Sequence, residues 1–339
     1  MQMIGWWLIP LVAGASLLLT AGLRSYALRR QIIDVPNARS SHTVPTPRGG
    51  GVAIVLSFLC CLPFMSAFSE IAQPEVLGIG GAGALVALIG FMDDHGHIAA
   101  RWRLLGHFAA ASWLLAWVGG LAPLQVLGYQ LNLHWAGYII AAFYLVWMLN
   151  LYNFMDGIDG IASVEAITVC LGAALLAALE HAWGLMILPV LLACATAGFL
   201  FWNFPPARIF MGDAGSGFLG VVLGGLSLQA AWHSSQLFWC WLILLGVFIV
   251  DATFTLIRRL IRGDKVYEAH RSHAYQFASR RYGKHLPVTL TVAAINLFWL
   301  LPIALGVVLL GVDGFTGLMI AYVPLIFIAL RFKAGSLEH

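Results

Sequence analysis

The sequence predicts an all-α protein, a polytopic membrane bundle of about eleven transmembrane helices. Of its 339 residues, 61% are hydrophobic and only 10% are charged, whereas soluble proteins carry about 25% charged residues. The hydrophobic residues form continuous runs close to the roughly 20 residues that a helix needs to cross a bilayer. Because these runs do not alternate polar and apolar residues, the pattern does not favour a β-barrel.

Windows of this length place eleven candidate spans along the chain, with boundaries uncertain by about 2–4 residues. They lie near residues 4–23, 49–68, 75–92, 104–119, 135–151, 160–179, 183–200, 216–232, 236–258, 287–310 and 315–331.

The distribution of charge predicts the orientation. If the loops alternate between the two faces, all 18 Lys and Arg residues fall on one face, in residues 24–48, 93–103, 201–215 and 258–284 and in the C-terminal tail. The positive-inside rule makes this face cytoplasmic, with the N-terminus outside and the C-terminus inside. No basic residue precedes the first apolar run, so we expect it to be a span and not a cleavable signal.

The chain is expected to form a single integral-membrane domain over residues 1–335. Its longest loops have about 25 residues, too few for a core of their own. Residues 336–339 are interpreted as a remnant of an expression vector. The five cysteines all fall within apolar spans and form no CxxC pair, so we expect small buried residues rather than disulfides or a zinc site.

Two adjacent carboxylates, Asp93 and Asp94, stand at the predicted cytoplasmic end of the third span. Such a pair either binds a divalent cation or has one raised pKa, and both outcomes suit phosphoryl chemistry. The alternative is that the two acids only end the helix at the water interface.

The segment NLYNFMDGIDG at 150–160 holds four polar residues spaced three apart. Neighbouring members share a face of a helix, and we expect the glycines to break that helix. Oxygen ligands on a flexible backbone suit Mg²⁺ and a nucleotide, although a simple polar turn is the alternative. The four residues are Asn150, Asn153, Asp156 and Asp159.

The segment FMGDAGS at 210–216 opens the span near 216–232. Small residues at a helix N-terminus leave free N–H groups, which can hold a phosphate. Asp213 is suited to ligate Mg²⁺, to cap the helix, or to do both.

The first and last long loops supply cationic side chains. In the first, residues 34–42 precede PTPRGGG at 45–51, whose glycines allow close approach to a ligand. The same segment is equally consistent with a rigid turn that leads into the second span. In the last, the donors of HRSHAYQ at 270–276 could clamp a pyrophosphate or attract anionic lipid. A transition-metal site at His270 and His273 is disfavoured, because no third soft ligand lies nearby.

Two acids, Glu165 and Asp251, fall inside predicted spans. An unpaired charge at mid-membrane costs about 2.5–3.5 kcal/mol. We therefore expect Asp251 to be paired, to lie near the site, or both, and we assign neither acid a catalytic role.

Taken together, the motifs resemble one family, the polyprenyl-phosphate N-acetylhexosamine-1-phosphate transferases typified by MraY and WecA (glycosyl transferase family 4). Within it the sequence looks most like the WbpL-type enzymes that initiate O-antigen. Arg271 and Ser272 interrupt the consecutive histidines of MraY, which disfavours a muramoyl-pentapeptide donor. The resemblance rests on PTPRGGG at 45–51, GFMDD at 90–94, NLYNFMDGIDG at 150–160, FMGDAGS at 210–216 and HRSHAYQ at 270–276.

The resemblance implies transfer of a sugar-1-phosphate from a UDP-sugar to polyprenyl phosphate, with release of UMP. The sugar would be of the N-acetylhexosamine or N-acetyl-deoxyhexosamine type, and the lipid would be undecaprenyl phosphate in a bacterium. The reaction would start a lipid-linked glycan, such as lipopolysaccharide O-antigen, at the cytoplasmic face of the inner (plasma) membrane. The implied cofactor is Mg²⁺, with Mn²⁺ as an alternative; no nucleic-acid partner is implied, and a homodimer is one compatible assembly.

Residue roles follow from the same resemblance. Asp213 and Asn153 would hold Mg²⁺. Asp93 and Asp94 would lie at the acceptor phosphate, one of them as a candidate base, and Asp156 near the metal and phosphates. Asp159 would bind uridine. Arg101 and Arg103 match a basic element just after the aspartate pair and would bind substrate. Contacts to phosphates or sugar would come from His42, Arg48, His270, Arg271 and His273.

Alternatives remain at this stage. The lipid phosphate could attack directly, and it is mostly ionised at pH 7 because its second pKa is about 6, so an obligatory base is doubtful. A two-step path through an aspartyl-phosphate is the competing mechanism.

The rival functions are a secondary transporter of an anionic solute and a lipid-binding scaffold. A transporter predicts polar residues at mid-membrane on several helices, whereas the polar clusters here lie on one face.

Overall fold

The chain is almost entirely helical, as its hydrophobic runs predict. The computed structural model describes residues 7–36, 44–67, 71–96, 98–265 and 270–336. Within these residues the α-helices are, in chain order, α1 Leu8–Arg30, α2 Val52–Ala67, α3 Gln73–Glu75, α4 Gly81–His95, α5 Ala100–Val118, α6 Ala136–Met155, α7 Ile161–Leu179, α8 Ile187–Asn203, α9 Asp213–His233, α10 Ser235–Leu244, α11 Gly246–Arg262, α12 Ala274–Tyr282, α13 Leu286–Ile295, α14 Leu301–Leu310 and α15 Gly314–Arg331.

Two short antiparallel ribbons join helices at opposite ends of the bundle. Strand β1 (Ile33–Asp34) pairs with β2 (Thr46–Pro47), and β3 (Leu124–Val126) pairs with β4 (Tyr129–Leu131). The loop between β3 and β4 has two residues, and both have positive φ, as a tight hairpin requires.

Eight helical segments of the described chain are long and apolar enough to cross a membrane, and one bent pair raises the number to nine. The predicted number of eleven is therefore not confirmed. The other two predicted segments, 49–68 and 104–119, form α2 and α5. Helix α2 has only 16 residues, and α5 begins with a turn that contains Arg101 and Arg103.

The segment predicted as one span at 236–258 is broken. Helices α10 and α11 meet at Leu245 with a bend of 70°. Next to the break, a Cβ on Gly246 would lie 3.1 Å from the side chain of Leu325 on α15, so α15 packs closely where the helix changes direction. The predicted span 287–310 is also irregular, because a π-helical turn at Asn296–Leu300 joins α13 to α14.

Helix α9 lies at the centre of the bundle, because 94% of its most apolar 18-residue segment is buried. Glycines allow its neighbours to approach. A Cβ on Gly220 would lie 2.5 Å from the carbonyl oxygen of Met148 on α6, and a Cβ on Gly90 of α4 would lie 2.5 Å from the carbonyl carbon of Asp213. Real side chains do not tolerate such distances, so small residues set the spacing of α4, α6 and α9.

The loops that hold the basic residues meet at one end of the bundle, which we call the basic end. There Arg24 Nε donates to the Arg208 carbonyl oxygen at 3.3 Å, and Gly335 N donates to the Ser272 carbonyl oxygen at 2.7 Å. At the opposite end, Gln125 N donates to Ser235 Oγ at 2.8 Å. Which side of the membrane the basic end faces stays a prediction.

Candidate active site

Asp93 and Asp94 end α4 beside the first turn of α9, where the contact at Gly90 fixes the spacing. Asp94 is buried, and one of its oxygens accepts a hydrogen bond from Ala214 N at 3.4 Å. Asp93 accepts a hydrogen bond from Ile98 N at 2.8 Å. Both carboxylates are thus held by backbone donors, and they point in different directions.

Asp213 is joined to α6 by an amide. Asn153 Nδ2 donates to Asp213 Oδ1 at 2.9 Å and to Ser216 Oγ at 3.1 Å. The N-cap of α9 is Gly212, with φ of 79°, so the alternative that Asp213 caps this helix is wrong. A Cβ on Gly212 would also lie 2.7 Å from Asp94 Oδ2, so this position requires glycine.

Two of the predicted substrate-binding arginines lie among these carboxylates. Arg103, from the first turn of α5, is ion-paired with Asp93 and places Nη1 3.7 Å from Asp213 Oδ2. Arg48, from the loop after β2, donates to the Asp94 carbonyl oxygen, and its Nε lies 4.0 Å from Asp94 Oδ1. Both guanidinium groups are partly exposed, so an incoming phosphate can reach them.

A cavity of about 850 Å³ opens at this point. Its polar walls come from the first loop, from the ends of α4, α6 and α9, and from α12 and the residue before α13. Five carboxylates face one arginine, so the cavity is rich in hard oxygen donors. The polar lining residues are Asp34, Arg48, Asp94, Asn153, Asp156, Asp159, Asn203, Asp213, Ser216, Gln276 and His285.

Helix α6 ends at Met155, so the predicted helical face continues only as far as Asn153. Asn150 does not line the cavity; its amide donates to the Val146 carbonyl oxygen within the helix. Asp156 turns away from the helix axis into the cavity wall. Burial raises the pKa of the Asp156 carboxyl well above its usual range, and the negative charges of neighbouring aspartates, Asp213 foremost, raise it further.

Asp159 is fixed by contacts on both sides. Its Oδ2 accepts a hydrogen bond from Ala207 N at 3.0 Å, and its Oδ1 lies 3.0 Å from His285 Nδ1. The Thr289 hydroxyl donates to its carbonyl oxygen at 2.8 Å. Asp159 lines both the first cavity and a wider one of about 1200 Å³ that continues from it, as do Phe210 and His285.

The predicted cluster at 270–276 lies behind the cavity wall. His273 is buried, and its Nδ1 lies 3.3 Å from Asp251 Oδ1. Asp251 also accepts hydrogen bonds from Ala274 N and Tyr275 N, at 2.9 and 3.1 Å. The expectation that this intramembrane acid is paired is therefore confirmed, since it holds the N-terminus of α12.

His270 stacks on the His273 ring, with 4.9 Å between centroids. Burial lowers the pKa of His270 to about 3, and the positive charges of His273 and Arg259 act in the same direction. Of residues 270–276, Gln276 is the one that lines the first cavity; His270, Arg271 and His273 do not line it.

Asp93, Arg101 and Arg103 are not among the residues that line the cavity, although Arg103 Nη1 lies 3.7 Å from Asp213 Oδ2. His42 lies outside the described residues. Arg101 is exposed, and its guanidinium lies over the Trp102 ring at 5.6 Å. Arg101 and Arg103 are two positions apart on a helix, and such positions do not face the same way, so only one of the pair reaches the carboxylates.

Several residues of the cavity were given no role from the sequence. Phe210 and Ser216 belong to the recognised motif FMGDAGS, and Ser216 follows Asp213 by one turn of α9, so the i, i+3 spacing could have predicted it. Gln276 belongs to a motif that was recognised, but the motif was assigned to its histidines. Asn203 and His285 lie outside the motifs, and their positions depend on how segments far apart in the sequence meet.

The donor set fits Mg²⁺. Asp213 and Asn153 converge within hydrogen-bond distance, and carboxylate and amide oxygens are the ligands that this ion takes alongside substrate phosphates. Burial raises the pKa of Asp156 most, and the negative charges of Asp213, Asp94 and Asp159 raise it further. A dication would relieve the repulsion among these carboxylates. Among the described residues, no group of three or more His, Cys, Asp or Glu side chains has the spacing of a complete metal cage. Substrate phosphates would therefore have to complete the coordination.

Comparison with known proteins agrees with this site. The decaprenyl-phosphate N-acetylglucosaminephosphotransferase of Mycolicibacterium smegmatis is 30% identical over 289 residues, which cover 74% of this chain and 71% of that protein. The family model described as glycosyl transferase family 4 matches residues 76–231. The chain belongs to glycosyl transferase family 4.

Other family 4 proteins match similar lengths. The probable undecaprenyl-phosphate N-acetylglucosaminyl 1-phosphate transferase of Bacillus subtilis is 29% identical over 268 residues, covering 76% of this chain and 73% of that protein. A phospho-N-acetylmuramoyl-pentapeptide-transferase of Streptococcus suis is 28% identical over 237 residues, covering 66% of this chain and 69% of that protein.

The part matched by the family 4 model holds the carboxylates and the amide at the centre of the cavity. Arg48, Gln276 and His285 lie outside it. Residues within the matched range therefore form the centre of the cavity, and segments before and after that range complete its lining.

Proposed function

We propose that this chain transfers a sugar-1-phosphate from a UDP-sugar to a polyprenyl phosphate and releases UMP. The relatives above are named for transfer of N-acetylglucosamine phosphate to undecaprenyl or decaprenyl phosphate. The observation that carries the proposal is the cavity in which Asp94, Asp156, Asp213 and Asn153 converge with Arg48. Two phosphate-bearing substrates need such a mixture of metal-binding oxygens and cations.

In this proposal Asp213 and Asn153 hold Mg²⁺, or Mn²⁺ in its place. The ion would neutralise charge on the donor pyrophosphate as the reaction proceeds. The protein supplies position and charge: Arg48 and Arg103 lie within reach of phosphate oxygens, and the first turn of α9 presents its positive dipole end to the same space.

An oxygen of the acceptor phosphate attacks the β-phosphorus of the donor, and the bond from this phosphorus to the bridging oxygen breaks. The electron pair leaves with UMP, and the product is a polyprenyl-diphospho-sugar. No proton has to move, because the acceptor phosphate is mostly ionised at neutral pH. Asp93 and Asp94 accept backbone and arginine hydrogen bonds, which makes them poor nucleophiles and favours direct transfer.

The wider cavity suits the rest of the donor. Phe210 offers an aromatic face for the uracil ring, and Asp159 offers carboxylate oxygen to its N–H group. Both residues line the passage between the two cavities. The pyrophosphate would then lie near Asp213 and the sugar beyond it.

We also propose where the reaction takes place and what its product starts. The basic end would face the cytoplasm of the inner membrane, by the positive-inside rule. The sugar would be an N-acetylhexosamine or its deoxy analogue. The product would start O-antigen or a related lipopolysaccharide glycan, as in the WbpL-type enzymes that the sequence resembles.

The test uses purified protein in detergent with undecaprenyl phosphate, Mg²⁺ and a panel of UDP-sugars, and follows UMP release and lipid product. We expect turnover with one class of donor, loss with EDTA, and loss in Asp213→Ala. Glu180→Gln, at the opposite end of the bundle, is the matched control and should keep its activity. No turnover with any donor by folded protein would contradict the proposal.

A further inference from the structure

A third cavity, of about 820 Å³, lies between α11, α12, α13 and α15. It shares no lining residue with either of the two cavities described above. Tyr275 lines it, while the next residue, Gln276, lines the active-site cavity. The Tyr275 hydroxyl donates to the Phe154 carbonyl oxygen at 2.9 Å, which fixes this side chain between the two spaces.

The walls of this cavity suit a hydrocarbon chain. Val250, Ala278, Val292 and Ala329 are typical of its lining, and Asp251 is the one charged lining residue. The Asp251 carboxylate already accepts hydrogen bonds at the N-terminus of α12, so no unused charge faces the interior.

Two exposed cations stand next to the residues that line the cavity at the basic end. Tyr282 and Phe332 line the cavity there, with ring centroids 6.5 Å apart. Arg281 and Arg331 immediately precede these two residues, and both are exposed. Across the described ranges of the chain, neither of these two side chains takes part in an ion pair or a hydrogen bond.

An apolar cavity between membrane helices with unpaired cations at its mouth is complementary to one kind of molecule. We propose that this site binds an anionic phospholipid, with an acyl chain in the cavity and the headgroup phosphate at Arg281 and Arg331. Basic pockets between helices recognise anionic headgroups in this way. The acceptor lipid does not fit the role, because this cavity shares no lining residue with the one that holds Asp94.

The bound lipid would also support the active site. It packs against Ala274 and Tyr275, the first residues of α12, and this helix carries Gln276 into the active-site cavity. Occupancy should therefore stabilise α12 in its present place.

The test is native mass spectrometry of the purified full-length protein, without nucleotide or polyprenyl phosphate, so its outcome does not depend on the transferase reaction. Phosphatidylglycerol and phosphatidylcholine with identical acyl chains are the probes. We expect one phosphatidylglycerol to be retained in preference to phosphatidylcholine. The double variant Arg281→Gln, Arg331→Gln should weaken its binding about 25-fold, since each such cation near a membrane surface contributes about fivefold.

Arg29→Gln combined with Arg30→Gln removes exposed cations at the end of α1 and should leave binding unchanged. Ala329→Phe, which fills the cavity, should reduce retention of phosphatidylglycerol without removing any cation. Equal retention of the two phospholipids, full binding by the Arg281→Gln, Arg331→Gln variant, or one-for-one displacement by undecaprenyl phosphate would overturn the proposal.

Discussion

Asn153 Nδ2 and Asp213 Oδ1 are joined by a hydrogen bond of 2.9 Å that links the last turn of α6 to the first residue of α9. The same amide contacts Ser216 Oγ at 3.1 Å. The bond therefore sets the position of the carboxylate that we propose as a Mg²⁺ ligand. Its loss should raise the Mg²⁺ concentration that activity needs more than it lowers the stability of the fold.

Asn153→Ala should raise the Mg²⁺ concentration needed for half-maximal activity by about 10–100-fold, the usual effect of removing a group that orients or completes a metal site. Titration of activity with Mg²⁺ measures it. Asn150→Ala is the matched control, one turn earlier on the same helix, because its amide bonds only within α6. Equal effects of the two substitutions would mean that Asn153 has no specific role.

Gly90→Ala should destabilise the protein by about 1–3 kcal/mol, as overpacking of a tight interior does, and should reduce activity. The added Cβ would lie 2.5 Å from the Asp213 carbonyl carbon, so α4 and α9 would have to separate. Thermal unfolding in detergent and turnover measure the two effects. Gly22→Ala on α1, where a Cβ meets no atom within 4 Å, should neither destabilise the protein nor reduce its activity, because alanine is the better helix former. An unchanged Gly90→Ala protein would refute the close packing.

Direct transfer predicts that labelled UMP does not exchange into the UDP-sugar when the acceptor lipid is absent. An aspartyl-phosphate path would allow this exchange, because its first step needs no lipid. The engagement of Asp93 by Arg103 and of Asp94 by Ala214 N favours the first outcome. Exchange that disappears in Asp94→Asn or Asp93→Asn would establish the two-step path.

The stability of the protein should fall as the pH drops from about 6.5 towards 3. The folded state holds the His270 pKa at about 3, whereas an unfolded chain has a histidine pKa of about 6.5. In this window the unfolded state binds one more proton and is favoured. His270→Gln should lessen the loss, measured as the unfolding midpoint at pH 7.5 and 5.0. His233→Gln, exposed at the opposite end, should not; equal pH dependence of the His270 variant and the parent would contradict this assignment.

Hydrophobic length and charge predicted the helical bundle, because both patterns follow directly from the cost of placing polar groups in lipid. The break at Leu245 was missed, since no proline marks it and the packing of α15 against Gly246 is a tertiary contact. The number of spans also remained open, because α2 is short for a bilayer and α5 carries arginines in its first turn.

Part of the site was predictable in the same way. Asp94, Asp156 and Asp213 lie in polar motifs at the ends of apolar runs, and the structure brings them into one cavity. The histidines of 270–276 were expected at the phosphates, but Asp251 holds His273 away from the cavity. Asp251 and His273 are 22 positions apart in the sequence, so no helical periodicity predicts that they meet.

The central claim is phosphoryl transfer to lipid at Asp213, and the most direct measurement follows the β-phosphorus of the donor. Purified protein would be given a UDP-N-acetylhexosamine labelled at the β-phosphate, undecaprenyl phosphate and Mg²⁺, and the label would be counted in the lipid and aqueous phases. The account predicts Mg²⁺-dependent appearance of the label in the lipid phase, with unlabelled UMP in the water and a loss of at least about 100-fold in Asp213→Asn. Label that stays in the water with every donor tried, or that reaches the lipid equally well in Asp213→Asn, would contradict it.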